Sequence, residues 1–99
     1  MQTPTISEIA SHNADAGGFY FSRDTLKFFN QTELSFQVHQ VRDRIFVFAP
    51  SRWGGKLMGY SIAEYDPENG KIAGVNIDNK GTIKTDAQAK SAINGYAWE

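Results

Sequence analysis

The chain has 99 residues, 10 Lys plus Arg against 11 Asp plus Glu, and no Cys. That length fits one domain, and the absence of Cys excludes a disulfide framework, a thiolate metal site and a cysteine nucleophile. A formal net charge of −1 provides no strong global field to gather phosphate or anionic lipid.

Taken in chain order, the first signal is helical. Thr5 and Glu8 have capping-box spacing behind Pro4. Ile6, Ile9 and Ala10 recur at helical intervals, and Gly17-Gly18 closes a predicted helix over 5–15. Ser22 is a good N-cap and Asp24 suits the positive end of a helix dipole, so a second helix of barely two turns is expected, ended by Asn30. Its anchors are expected to be Leu26, Phe28 and Phe29.

From residue 34 the period changes to two. Leu34, Phe36 and Val38 alternate with Ser35, Gln37 and His39, predicting a half-buried strand. Arg42-Asp43 makes a tight turn, and Arg44–Ala49 is a β segment that Pro50 is expected to end. Ser51–Lys56 reads as a loop around Gly54-Gly55. Leu57–Tyr65 returns as a strand, Asp66–Gly70 turns, and Lys71–Ile77 is a further strand ended by Asp78–Gly81. Thr85 and Gln88 form a second capping box, opening a helix with Gly95 placed just past its end; Tyr96 and Trp98 are expected to dock on the body. The fold class is therefore α+β: an antiparallel meander of about four strands in one domain spanning 1–99, with short helices from both ends covering one face.

Chemistry-bearing motifs are absent. The sequence contains no Walker-type glycine loop, dinucleotide fingerprint or Gly-x-Ser-x-Gly elbow. His12 and His39 lack metal-ligand spacing and read as surface or cap histidines. No catalytic residue, metal or cofactor is expected. Two constellations point to binding. In the loop Arg52-Trp53-Gly54-Gly55-Lys56, Arg52, Trp53 and Lys56 are of the types that serve at protein contacts, Trp and Arg above all. Arg23 and Lys27, four residues apart, could add a basic rim. The second lies on the strand through Arg44, where alternation places Arg42, Arg44, Phe46 and Phe48 on one face. Two arginines and two phenylalanines have the composition of a base-stacking platform, and also of a strand covered on both sides.

Residues Ser11-His12-Asn13 and Gly17–Phe29, with Gly-Gly-Phe-Tyr-Phe-Ser-Arg-Asp-Thr-Leu-Lys-Phe-Phe, resemble a family of short proteins encoded by bacteriophages and plasmids. Tyr60–Asp66 is similar to a later part of the same pattern, with Ala63 and Glu64 standing where the family carries basic residues. The resemblance spans about residues 5–77 and implies a genomic setting without an assigned activity. The sequence-level expectation is a small non-enzymatic accessory protein, in the cytoplasm of a bacterial host, that binds a host protein and inhibits a defence complex of anti-CRISPR or anti-restriction type. The alternative is a single-stranded nucleic-acid-binding module using Arg42, Arg44, Phe46 and Phe48. No membrane segment is expected, and the oligomeric state is left open.

Overall fold

The computed structural model describes residues 3–28, 31–75, 77 and 83–98. Helices α1 (Ile6–Asp15) and α2 (Arg23–Phe28) precede a 3-10 turn (Glu33–Ser35). Four strands follow, β1 (Gln37–Val41), β2 (Arg44–Trp53), β3 (Lys56–Tyr65) and β4 (Ile72–Gly74), and then helix α3 (Asp86–Ala97). The sheet is antiparallel throughout, in the order β1-β2-β3-β4, which makes the molecule an α+β meander.

Both long helices begin as the sequence predicts. The Thr5 hydroxyl accepts from the Glu8 N–H while the Glu8 carboxylate accepts from the Thr5 N–H, and Thr85 and Gln88 repeat the arrangement on α3. These reciprocal caps satisfy amides that the first helical turn leaves unpaired.

The helices do not share one face, which corrects the expectation. Residues of β2 alternate between two apolar layers. Phe46 and Phe48 join Val41, Ile62, Ile83, Ala89 and Ile93 beneath α3. Ile45, Val47 and Ala49 join Ile9, Phe36, Ala63 and Tyr65 on the α1 side. One strand with period-two alternation but apolar residues in both registers is what a sheet covered twice requires. Ile9, Phe46, Phe48 and Ile93 are fully buried.

Other departures have local causes. Pro50 does not end β2, because it lies beyond the last β1 pair, Gln37 with Phe48, while still opposite Tyr60 of β3. Its carbonyl accepts from the Gln31 side-chain amide at 3.2 Å, filling a place that β1 does not reach. A proline is tolerated there because no strand demands its missing N–H. Ser51–Trp53 and Lys56 are strand as well, so the expected loop shrinks to the two-residue turn Gly54-Gly55, with φ of 58° and 79°. Helix α3 runs through Gly95 to Ala97, and β4 is shorter than its sequence pattern. Of the expected anchors of α2, Leu26 joins the α1-side layer, while Phe28 is exposed. Phe29, Asn30 and the expected turn at 78–81 lie outside the described residues.

Candidate functional site

The β1–β2 hairpin closes through Arg42 and Asp43, since Val41 pairs with Arg44. Arg42 has φ 60°, and it is the one non-glycine residue with positive φ among the described residues. The Gln40 amide holds the turn by donating to the Arg42 carbonyl at 2.8 Å. From this turn the Arg42 guanidinium reaches over Trp98, which caps the C-terminal end of α3, with its central carbon 3.9 Å from the ring centroid. Trp98 nevertheless remains 60% exposed.

Arg44 faces the same way one step along β2. Its Nε and Nη2 donate to the two Glu64 oxygens at 2.9 and 2.8 Å, a forked pair across neighbouring strands. The Glu64 hydrogen bonds hold the Arg44 pKa above its ordinary value. Its guanidinium also approaches the rings of Phe46 and Tyr96, at 5.4 and 5.2 Å. Tyr96 in turn meets Phe46 edge-on. Arg42, Arg44, Tyr96 and Trp98 thus form an arginine–aromatic ledge where the end of α3 meets the first hairpin turn. Beside it opens a cleft of about 510 Å³, in which Asp43, Glu64, Asp66 and Glu68 outnumber Arg44 and Lys71.

The ledge relocates the second sequence constellation. Arg44, Phe46 and Phe48 do share a sheet face and Arg42 lies on the same side, but α3 covers the phenylalanines completely. They are core residues, in line with the reading of a strand covered on both sides, and the ring surfaces that the alternative base-stacking platform would use are buried. The aromatic partners of the arginines come from α3 instead. The sequence signalled Tyr96 and Trp98 only as docking residues, because nothing local in a sequence pairs position 42 with position 98.

At the opposite end of the sheet, Arg52 and Lys56 are exposed on either side of the Gly54-Gly55 turn. The Trp53 side chain lies outside the described part, so the first constellation is placed by its two cations and its backbone alone. Arg23 and Lys27 are exposed on α2.

The histidines are structural links between elements. His12 Nδ1 lies 2.6 Å from the Tyr65 hydroxyl, and His39 Nε2 lies 2.8 Å from Asn94 Oδ1. Asp86 at the start of α3 accepts from the Tyr60 hydroxyl at 2.6 Å and from the Gln37 amide at 2.7 Å. These bonds hold its carboxyl below the ordinary carboxylate range. Among the described residues no three His, Asp or Glu side chains gather as a metal cage. No helix of the described residues is long and apolar enough to cross a membrane.

Among known protein families, the model of a family of unknown function, DUF7447, matches residues 5–94. The match extends beyond the stretch 5–77 in which the sequence resemblance was read and takes in most of α3, and it carries no indication of phage or plasmid origin. No curated protein and no solved structure matches the chain. The chain belongs to the DUF7447 family of unknown function.

Proposed function

We propose that this protein is non-enzymatic and acts by binding another protein, with the Arg42–Trp98 ledge as the principal contact. One observation carries the reading: a tryptophan 60% exposed is held in place by an arginine from a distant element. Exposed indole offers a large contact area with little rotamer freedom left to lose, and Trp and Arg dominate the energetics of protein interfaces. The exposed Arg52 and Lys56 at the far hairpin tip are a second contact in this reading. A host protein is the partner class, and inhibition of a defence complex of anti-CRISPR or anti-restriction type is its concrete form. The resemblance of residues 5–77 to phage- and plasmid-encoded proteins supports that setting. The nucleic-acid alternative on Arg42, Arg44, Phe46 and Phe48 would require α3 to leave the sheet.

Quantitative capture from host cells with the wild-type chain and Trp98→Ala tests the reading. The expected result is a protein retained by the wild type and weakened by about 2 kcal/mol, roughly thirtyfold, with the variant, whose folding is unaffected. Identical capture by both chains, or no retained protein, overturns it.

A further inference from the structure

Arg42 is placed where a side chain is disfavoured. A positive φ is unfavourable for a non-glycine residue, and such placements persist where the surroundings impose them. Here Gln40 fixes the turn carbonyl and Trp98 receives the guanidinium. Stacking on a ring face consumes none of the five N–H donors, which radiate in the guanidinium plane. Arg44 is different, since Glu64 already takes two of its donors. Among the described residues no carboxylate lies within ion-pair distance of Arg42. Among the described residues the ledge therefore presents one oriented cation outside any ion pair, beside an exposed indole.

The surroundings select among anions. Asp43, Asp66 and Glu68 lie around the adjoining cleft, and they repel a chain of phosphates that must run past them. A single carboxylate needs only the one guanidinium, which it can engage through two parallel hydrogen bonds.

We infer that Arg42 and Trp98 form a receptor for one side-chain carboxylate in a peptide segment that carries no further acidic residue, with the apolar residue next to it laid against the exposed indole. This rests on the ledge being a protein-contact surface and specifies what that surface recognises. The strained turn and the stacked guanidinium preorganise the donors, so binding orders little further.

The test titrates the full-length chain, with nuclear magnetic resonance detection of the Trp98 indole N–H and the Arg42 Nε–H. Trp53→Phe assigns the two indole signals. The probes are acetyl-Phe-Glu-amide, its neutral counterpart acetyl-Phe-Gln-amide, and a single-stranded oligonucleotide. The Glu peptide is expected to shift both signals saturably, with the Gln peptide weaker by about fivefold or more. Arg42→Gly is expected to weaken the Glu peptide by a similar factor while its thermal midpoint stays level or rises, because glycine accepts the positive φ. Equal binding of the two peptides overturns the inference. So does a lowered midpoint in Arg42→Gly, which would make the stack a structural staple, and so does an oligonucleotide that outcompetes the Glu peptide. Host capture separates the two levels. Peptide binding without a captured partner refutes the proposed function alone, and a captured partner indifferent to Arg42→Gly refutes the carboxylate receptor alone.

Discussion

His12 on α1 and Tyr65 at the end of β3 meet with 2.6 Å between Nδ1 and the phenolic oxygen, their rings edge to face. Next to them the Asn13 amide donates to the Gly70 carbonyl at 2.9 Å. These contacts dock α1 on the β3–β4 turn, and they require the turn backbone to come very close. A Cβ at Gly70 would lie 2.7 Å from the His12 carbonyl oxygen, and φ there is 76°. Backbone strain and a backbone clash add, so Gly70→Ala is expected to cost about 2–4 kcal/mol in urea unfolding. Gly54→Ala is the control, with φ 58° and nothing within 4 Å. Its cost is expected to be about 1 kcal/mol, from conformation alone. Equal losses would mean that the close approach contributes nothing.

What the sequence could convey follows from how far each determinant reaches. Thr5 with Glu8 and Thr85 with Gln88 specify helix starts through bonds three residues long, and both were legible. So was the Arg42-Asp43 turn between two apolar strands. The end of β2 was not, because whether Pro50 breaks a strand depends on where β1 stops, which is a matter of pairing. Nor does local patterning say which helix covers which face. Phe46 and Phe48 have the composition of core and also of a platform, and only the placement of α3 over them decides for core. The ledge was hidden for the same reason: Arg42 and Trp98 are joined only by the packing of α3.

The burial of Phe48 yields a quantitative expectation. Truncating a fully buried phenylalanine removes its transfer free energy and leaves a cavity, so Phe48→Ala should cost about 3–5 kcal/mol by denaturant titration. Leu34→Ala, at a residue 87% exposed, should change stability by no more than about 0.5 kcal/mol. A Phe48→Ala loss below about 1 kcal/mol would show that α3 does not seal this face, and would reopen the stacking platform.

Tyr60 and Asp86 make folding sensitive to pH at both extremes. Burial, followed by the bond to Asp86, raises the Tyr60 pKa from 10.0 to about 12, and burial raises Tyr20 to about 12 as well. Folded values above the unfolded one mean that this stabilisation is complete below pH 10.0 and lost as pH climbs towards about 12. Asp86 has the opposite sign. Its lowered folded pKa gives stability above the ordinary value of 3.8, which disappears as acid protonates the folded form. The thermal midpoint should fall on both sides. Tyr60→Phe should cost about 1 kcal/mol at neutral pH and make the alkaline fall shallower. An alkaline limb unchanged in Tyr60→Phe would assign that limb to other groups.

Arg44 and Glu64 invite a double-mutant cycle, because two effects of different size are superimposed there. Both side chains are about one-third exposed, so solvent screens the forked pair and its coupling should be modest, about 0.5–1 kcal/mol. Arg44 also lies beside the rings of Phe46 and Tyr96, contacts that Glu64 does not share. Arg44→Ala is therefore expected to destabilise more than Glu64→Ala, by about 0.5–1 kcal/mol, since it strips cover and a cation from the aromatic ledge. Raising salt to about 1 M shortens the screening length to about 3 Å, which should shrink the coupling energy while leaving the excess loss in Arg44→Ala largely intact. If both losses are equal and vanish together in salt, the arginine is bound to this surface by charge alone, and the aromatic half of the ledge does not hold it.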